Sequence, residues 1–424
     1  MKVLKEELKY LLRNPFLYVI MVLGIAWCMW TASTGVQLET ISMTNRYVDR
    51  YGTSFNSEKD VERFQKFILE ETEKGKTYTA MAKKYGLPDD PGEMWSFIEE
   101  NFPEGEIVPE YVDEAYILGF ELENLLHMPE NFLEVQKASS KKNKEGLKRA
   151  EESMIQQGTP EWERELVLAE SEKAYDTRFR QIQENKENQY LTPIDGQFLI
   201  RIGSSFSMIW FFGILTAFVT AFCGVAKCFS GNRRGILFSC QKGRALLWYK
   251  VLAVMLITAI FTLVLSVLVV GGYWLVYLGL YRYWNLPTAA FLQDGSSFEL
   301  LRIPIDFGGY LLFLIGVGIA IAVVLALLFC GAMTAAKRAR TGAGAAVLTA
   351  GVLAGVSMMS GIHTLFLAGT PIAIMINGHG LLRVLSNNEF TALPHFEGLS
   401  LLAWALLFSG FFTLMAIRFR KVSL

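Results

Sequence analysis

Charged residues are scarce over most of this 424-residue chain. Of its 41 Asp and Glu residues, 34 fall between positions 36 and 200, and only 7 occur elsewhere. None of the five cysteines lies in that acidic stretch, which excludes a disulfide framework there. With four histidines and no H-E-x-x-H or paired Cys and His spacing, no zinc site is predicted. The chain also lacks G-x-x-x-x-G-K-[ST], the phosphate cradle of P-loop ATPases.

Six apolar runs stand out, and their cores contain no Asp, Glu, Lys or Arg. Each is long enough to cross roughly 30 Å of hydrocarbon, and such runs cross lipid as helices. The sequence therefore predicts an all-α integral membrane protein with six transmembrane helices, at 15–34, 203–226, 248–272, 307–333, 343–368 and 398–417. Only His363 lies near a span interior, where a packing role is favoured. An ion-coupled carrier is disfavoured because the cores of the spans contain no charged residues.

Basic residues predict the orientation, because short cytoplasmic loops retain Lys and Arg. With the N-terminus inside, 16 basic residues fall in the segments assigned to the cytoplasm. The two short loops assigned outside, 273–306 and 369–397, contain only Arg282, Arg302 and Arg383. Both termini are therefore predicted to be cytoplasmic.

The first 34 residues form a basic start followed by an apolar run. Residues 1–14 have the pattern of an amphipathic interfacial helix, and Asn14-Pro15 predicts a break before the first span at 15–34. The alternative is a cleaved signal peptide, since small residues follow at Ala32 and Ser33. The long start with its own carboxylates favours the interfacial helix.

Residues 35–200 are predicted to form an acidic, mainly helical extracytoplasmic domain between the first and second spans. Between 36 and 200 there are 34 acidic and 20 basic residues, so the net charge is near −14. Thr159-Pro160-Glu161 predicts a helix start in which Thr159 caps the helix, and the helix should run to about Tyr190. That helix carries two apolar stripes, the first formed by Trp162, Leu166 and Ala169, the second by Tyr175, Phe179 and Ile182.

Two features of the region 201–424, which holds the other five spans, suggest contacts with partners. Gly351 and Gly355 form G-x-x-x-G, which predicts close helix packing, either within the bundle or at a dimer seam. The cytoplasmic loop at 229–247 is basic, as topology alone would require. A helix break at Gly243 would also leave a short rigid element that a cytoplasmic subunit can push. The cations concerned are Arg233, Arg234, Lys242, Arg244 and Lys250.

Three features of the chain resemble the membrane subunits of bacterial ABC exporters of the second type, the type-2 ABC permeases. The start, Glu7-Leu-Lys-Tyr-Leu-Leu-Arg-Asn-Pro15, is similar to the elbow helix of that family. The segment Gly243-Arg-Ala-Leu-Leu-Trp-Tyr-Lys-Val-Leu-Ala253 resembles the end of its loop between the second and third spans. The third feature is the architecture of six spans with both ends inside and an amphipathic outer segment, 369–397, before the last span.

The resemblance implies a non-enzymatic permease in a bacterial cell membrane, paired as a homodimer or with a related permease. A separate ABC ATPase subunit would hold ATP and Mg²⁺, so this chain needs no cofactor of its own, and no nucleic acid is implied. The elbow would use Glu7, Lys9, Arg13 and Pro15, and the coupling loop the residues from Arg233 to Lys250. The expected function is export of a peptide, a lipid-linked molecule or a drug. The alternative is mechanotransmission, in which ATPase motion reaches the outer domain and nothing crosses the membrane.

Overall fold

Helices make up the regular secondary structure throughout the described part of the chain. The computed structural model describes residues 2–33, 38–54, 58–102, 107–126, 146–187, 190, 197–226, 241–291, 300–336, 339–358, 364–384 and 389–421. Within these ranges there is no β-strand, only isolated bridges such as the one between Ser54 and Tyr190. The all-α prediction is confirmed.

The chain begins with two helices joined by a sharp bend. Helix α1 covers Lys2–Leu12 and helix α2 covers Pro15–Ser33. The axes of Val3–Leu12 and Pro15–Thr31 are bent by 58°. The bend falls where proline follows Asn14, whose side-chain oxygen accepts a hydrogen bond from the Phe16 N–H at 3.2 Å. Proline therefore opens α2 at a position where its missing N–H removes no helical hydrogen bond.

The acidic region contains seven described helices, whose apolar side chains form clusters that continue into the rest of the chain. They are α3 Leu38–Tyr51, α4 Glu58–Glu71, α5 Glu73–Tyr85, α6 Met94–Asn101, α7 Glu110–Leu126, α8 at 146–156 and α9 Glu161–Asn185. Thr72 caps α5 by accepting a hydrogen bond from the Gly75 N–H at 3.0 Å. Tyr47, Phe64 and Tyr78 are fully or almost fully buried beneath these helices. We call the region 38–187 the acidic domain.

Two expectations about α9, its capping residue and its last residue, are corrected. The helix begins at Glu161 without a side-chain cap, and the Thr159 hydroxyl is buried without a hydrogen-bond partner. Thr159 is therefore not the capping residue, and Pro160 occupies that position. The helix ends at Asn185 rather than near Tyr190, because Lys186 adopts a left-handed conformation with φ 53°. Of the two apolar stripes, the second is buried through Tyr175 and Ile182, whereas Trp162 and Leu166 of the first are exposed. The buried face also includes Glu163 and Arg178.

The rest of the chain forms a bundle of long apolar helices with short helices between them. They are α10 Gln197–Gly224, α11 Gln241–Ser266 with a π-helical continuation Val267–Tyr277, α12 Phe307–Ala335, α13 Ala339–Met358, α14 Leu365–Ala368, α15 Pro371–Ile376 and α16 Phe396–Lys421. Five helices are long and apolar enough to cross a membrane, which fits a multi-pass membrane protein. The bent pair of α1 and α2 supplies a sixth only if it is counted as one span.

Helix α12 lies at the centre of the bundle, where α10, α11, α13 and α16 pack around it. Gly318 makes room for the indole ring of Trp210, because a Cβ at that position would overlap the ring. Trp210 is fully buried as a result. Such close packing of a small residue against a large one is typical of helix association in lipid.

Buried hydroxyl groups line the contact between α10 and α11. The Thr220 and Thr258 hydroxyls are 3.1 Å apart, and each of Thr220, Thr262 and Ser266 also donates to a carbonyl one turn earlier in its own helix. A gap of about 10 Å³ lies nearby, lined by Thr216 and Thr262 among others. That volume has room for about one water molecule.

Candidate functional site

The candidate site lies at the end of the bundle that carries α1 and the start of α11, which we call the α1 end. One face of α1 packs on the bundle, with Leu11 buried and Leu4 and Leu8 partly buried against the core. At the bend, the Asn14 side-chain amide donates to the Cys223 sulfur near the end of α10, over 2.9 Å. Helix α1 is therefore fixed to the bundle by apolar and polar contacts.

A shielded ion pair joins α1 to α11. The Lys250 ammonium lies 2.7 Å from a carboxylate oxygen of Glu7, and the two side chains are only 10% and 15% exposed. Leu247 and Val251, on either side of Lys250, are buried as well. In such a partly dry setting the mutual attraction is stronger than on an open surface, and removal of one partner leaves a poorly solvated charge. Motion of α1 is thus linked to motion of α11.

The other residues predicted for the elbow face outward. Lys9 is half exposed and forms a surface ion pair with Glu6 at 3.1 Å, and Arg13 and Pro15 are also exposed. Helix α1 therefore has two sides, one that anchors it to the bundle through Glu7 and one on which the cationic side chains of Lys9 and Arg13 are exposed. An external subunit can reach only the second side.

The predicted coupling loop is described only in part. Arg233 and Arg234 lie outside the described residues. Lys242, Gly243 and Arg244 lie in the first turn of α11, which begins at Gln241. The expected helix break at Gly243 is therefore wrong. The first four N–H groups of a helix have no intrahelical partner, so a helix start tolerates glycine there.

A second set of contacts joins the acidic domain to the opposite end of α11, which we call the domain end. The Asn45 side chain of α3 donates to the Leu278 carbonyl at 2.9 Å and accepts from the Tyr283 hydroxyl at 2.9 Å. Gly279 has φ +72°, and a Cβ there would lie 2.7 Å from the Asn45 amide. Glycine therefore supplies both the left-handed turn and the room that Asn45 needs.

An ion pair on the surface completes this attachment. The Arg282 guanidinium donates to both carboxylate oxygens of Asp49, at 2.6 and 2.7 Å. The hydrogen bonds from Arg282 hold the pKa of Asp49 below its usual range. The Asp49 side chain is 56% exposed, so solvent competes for this contact.

The basic residues of the predicted outer loops have structural roles that sequence reasoning missed. The Arg302 side chain is only 8% exposed. It donates to a Glu397 carboxylate oxygen at 2.7 Å, and it also contacts the carbonyls of Thr391 and Leu393. The second Glu397 oxygen accepts from the Leu382 N–H at 2.8 Å. Glu397 opens α16, so this network ties the segment before the last long helix to the chain around 302. In the sequence, the one carboxylate in the first turn of that helix could have indicated a partner for Arg302.

Helix α9 lies against the same segments. Val167 packs in an apolar cluster with Ala368 and Phe390, and Tyr175 packs in another with Ala289 and Val384. Farther along α9, the buried Arg178 forms a two-bond ion pair with Glu187. Burial raises the pKa of Glu187, but the hydrogen bonds and charge of Arg178 outweigh that effect and lower it overall. The acidic domain therefore packs directly on the bundle through α9.

The chain was compared with known protein families, curated proteins and solved structures. No family model matches the chain. Searches of curated proteins and of solved structures also found no match. The likeness to type-2 ABC permeases therefore stays a prediction that depends on the quoted segments. Among the described residues, no group of three or more His, Cys, Asp or Glu side chains has a metal-binding arrangement.

Proposed function

We propose that this chain is the membrane subunit of an ABC exporter and that a separate ATP-binding subunit drives it. The observation that carries the proposal is the shielded ion pair between Glu7 and Lys250, which joins α1 to the long helix α11. The exposed cations Lys9 and Arg13 offer a docking side on α1. Together with Arg233, Arg234 and Arg244 of the predicted coupling loop, they would meet an acidic groove on the ATPase.

In this proposal α1 and α2 complete a set of six spans, with both termini in the cytoplasm of a bacterial cell and the acidic domain outside. Rotation of the docked ATPase subunits would push α1 and the start of α11 as one body. The displacement would then reach the other spans through α12, which α11 contacts along its length. The basic residues near the α1 end support this orientation.

The exporter would be a dimer, and α13 is the helix best suited to face the second copy or a related permease. Only 11% of its apolar window is buried in the chain. Gly351 and Gly355 are exposed there, and a Cβ at either position would meet nothing within 4 Å. Small residues on an open helix face let two backbones approach in lipid. A substrate path between two copies would suit a peptide, a lipid-linked molecule or a drug.

Purification of the tagged chain in mild detergent tests the ATPase link. We expect a P-loop ATPase to co-purify, and ATP hydrolysis to require that partner. Glu7→Gln should reduce hydrolysis of the complex by about tenfold or more while leaving nucleotide binding intact. Glu6→Gln, on the exposed side of α1, is the matched control. Hydrolysis by the isolated chain, or equal turnover in both variants, would contradict the proposal.

The dimer has its own test. Gly351→Leu together with Gly355→Leu should shift the purified protein toward monomer in cross-linking or mass photometry. Gly410→Leu is the control, because Gly410 is also exposed on a long helix with open space around it. Equal dimer fractions in all three proteins would remove α13 from the interface.

A second function, mechanotransmission without transport, is favoured by one observation. Helix α11 and its π-helical continuation form a single rod from Gln241 to Tyr277. One end of that rod holds the Glu7 pair, and the other leads directly to Leu278, which Asn45 of the acidic domain binds. A push at Lys250 would reach the acidic domain through this rod alone.

Hydrogen exchange of α3 during ATP turnover separates the two functions. Mechanotransmission predicts that ATP changes exchange in α3 and that Asn45→Ala abolishes the change without altering hydrolysis. Export predicts that flux of substrate follows ATP hydrolysis in proteoliposomes, whether or not α3 responds. An ATP-dependent α3 response with no flux for any of the three substrate classes would favour mechanotransmission.

A further inference from the structure

Helices α6 and α7 of the acidic domain carry an exposed apolar patch. Trp95, Ile117 and Phe120 are 54%, 62% and 58% exposed. The Trp95 ring packs on the ring of Tyr116, with 5.7 Å between their centroids. Tyr116 and Ile117 lie four and three residues before Phe120 on α7, so the four side chains adjoin one another. We call these four residues the aromatic patch.

The packing of α7 determines the direction in which the patch points. Val112, Ala115 and Leu122 are buried on one side of the helix. A Cβ at Gly119, on the same side, would lie 3.4 Å from the ring of Tyr78 in α5. At about 100° per residue, the patch residues of α7 occupy the opposite side and the flank toward α6. The patch therefore faces away from the helix α5 on which α7 packs.

The surroundings of the patch are acidic. Residues 85–136 contain 14 Asp and Glu residues and no Lys or Arg. Glu99 is exposed on α6, one turn after Trp95. Asp113 and Glu114 are exposed on α7, about one turn before the patch residues of that helix. Carboxylates therefore flank the patch on both helices.

The cations of α5 that lie nearest to α7 are engaged elsewhere. Lys74 forms an ion pair with Glu121 at 2.9 Å. Lys84 lies over the ring of Tyr85, which stacks on Tyr111 on the opposite side of α7 from the patch. Neither cation is thus placed to neutralise the carboxylates beside the patch.

This charge distribution selects the kind of partner. An exposed apolar patch rimmed by polar side chains is typical of an interaction site. Like charges disfavour anionic lipid, nucleic acid and a second copy of the acidic domain, whereas a cationic partner is attracted by the carboxylates and binds the faces of the rings. From Glu110 to Phe120 the surface extends about 15 Å along α7, nearly three turns of a helix. A single small cation would cover only part of that length.

We propose that the aromatic patch and the carboxylates beside it bind a cationic, amphipathic peptide. Apolar side chains of the peptide would cover Trp95, Ile117 and Phe120, and its Lys or Arg side chains would pair with Asp113 and Glu114. The peptide would lie along α7 with its apolar face on the patch. The binding needs neither an ATPase nor transport, so it is independent of the proposed export function.

Fluorescence anisotropy tests the binding with the full chain in phosphatidylcholine nanodiscs, without ATP. The probe is a helical peptide of Leu and Lys, about 14 residues and roughly 20 Å long, with an uncharged fluorophore. Empty nanodiscs give the background from lipid. We expect binding above that background, and about tenfold weaker binding of a peptide with Glu in place of Lys. Added salt should weaken the binding, because it screens exposed charges.

Two variants locate the apolar part of the site. Ile117→Ser together with Phe120→Ser should weaken peptide binding by about tenfold or more, because exposed side chains at the centre of a contact carry most of its energy. Trp162→Ser together with Leu166→Ser is the matched control, since both residues are exposed on α9 of the same domain. The control should bind the peptide like the native chain.

Two further variants test the charge. Asp113→Asn together with Glu114→Gln should weaken binding several-fold and reduce its salt dependence. Glu161→Gln together with Glu165→Gln, at exposed positions near the start of α9, is the control. Equal unfolding temperatures in all variants would show that the fold is intact.

Several outcomes would overturn the proposal. They are binding no stronger than to empty nanodiscs, equal binding of the Glu peptide, or native binding in both the apolar and the acidic variants. Binding that appears only after Lys137, Lys141 and Lys142 are changed to Gln would assign the patch to basic residues of the chain itself. A lower dimer fraction in Ile117→Ser with Phe120→Ser, without loss of peptide binding, would assign it to a second copy.

Discussion

The two ends of α11 bind their neighbours with the same kind of bond in very different surroundings. At the α1 end, the Lys250 and Glu7 side chains are 10% and 15% exposed. At the domain end, the Arg282 and Asp49 side chains are 21% and 56% exposed. The distance between the paired atoms is nevertheless similar, 2.6 Å here and 2.7 Å at the α1 end. The strength of an ion pair depends more on how well water can replace it than on its length. The first pair is therefore a fixed joint and the second a contact that can open.

In the proposed function, this difference would suit a helix that is displaced at one end and passes the displacement on at the other. If the ion pair between Glu7 and Lys250 opened when α1 moved, the displacement of α1 would not reach α11. At the domain end, α3 is held by neutral hydrogen bonds of Asn45 and by a surface ion pair, each of modest strength. The variants below test the contrast, in order of decreasing effect.

The largest effect is expected from removal of the shielded joint. Glu7→Gln leaves the Lys250 ammonium poorly solvated without a counter-charge, and we expect a loss of about 3–5 kcal/mol in the free energy of unfolding. Thermal or denaturant unfolding of the chain in detergent measures the loss. Glu6→Gln, which breaks only a surface pair with Lys9, should change stability by less than about 0.5 kcal/mol.

A charge swap sharpens that result. Glu7→Lys combined with Lys250→Glu should recover much of the stability that either single change removes, because the pair is restored with opposite polarity. If the double variant is no more stable than the sum of the two single losses predicts, the joint does not depend on the pair. If Glu7→Gln lowers the free energy of unfolding no more than Glu6→Gln does, the ion pair is likewise not what holds α1 to α11.

A smaller effect is expected from Asn45→Ala at the domain end. The change leaves the Leu278 carbonyl and the Tyr283 hydroxyl without the hydrogen bonds that Asn45 makes. We expect the free energy of unfolding to fall by about 1–3 kcal/mol. The change should appear as faster hydrogen exchange in α3, with α1 and α11 unaffected. Asn101→Ala, which removes an exposed hydrogen bond to the Phe97 carbonyl, serves as the control. Faster exchange throughout the bundle would show that the two ends are not independent.

Arg282→Gln should have a smaller effect again. The pair with Asp49 is open to solvent, and exposed pairs contribute about 0.2–1 kcal/mol. Exchange in α3 should rise slightly in the variant at low salt and match the native protein at high salt, because salt screens exposed charges. A salt-independent difference would mean that Arg282 acts through packing on Tyr281, over whose ring it lies, and not through charge.

The smallest effect concerns pH. Arg282 holds the pKa of Asp49 below its ordinary value. The pair therefore stabilises the folded protein fully when the pH is above that ordinary value, and the stabilisation is lost as the pH falls through the lowered pKa. The difference in unfolding temperature between the native chain and Asp49→Asn should therefore be constant from about pH 7 to pH 5 and become smaller as the pH falls below the ordinary aspartate pKa of about 3.9. A difference that persists in acid would assign Asp49 a role without charge.

The long helices were predictable because each apolar run must satisfy its backbone within one helix. The burial of α9 was not, because its inner face includes Glu163 and Arg178, whose partners Leu365 and Glu187 appear only in three dimensions. Apolar periodicity gave two stripes, and only the second, with Tyr175 and Ile182, is buried. A charged side chain is buried when the fold supplies its partner, and no local pattern records that partner.

The candidate site shows the same limit. Glu7 and Lys250 were both expected to matter, in separate elements, but nothing in the sequence indicated that they touch. Arg302 was counted only as a basic residue in an outer loop, although it organises the segment before α16 through Glu397. The break before Pro15 could be read directly, because proline acts on its immediate neighbours. Local rules thus describe the helices, while the contacts between them require the fold.

The separation of 243 residues between Glu7 and Lys250 determines when α1 can reach its final position during synthesis. Helix α1 leaves the ribosome before its partner α11, which follows only after the acidic domain and α10 have been made. At about 5–20 residues per second, the interval is roughly 10–50 s. During that time the Glu7 carboxylate and the apolar side of α1 have only water, lipid or a chaperone to contact. Helix α1 is therefore made well before the contact that secures it can form.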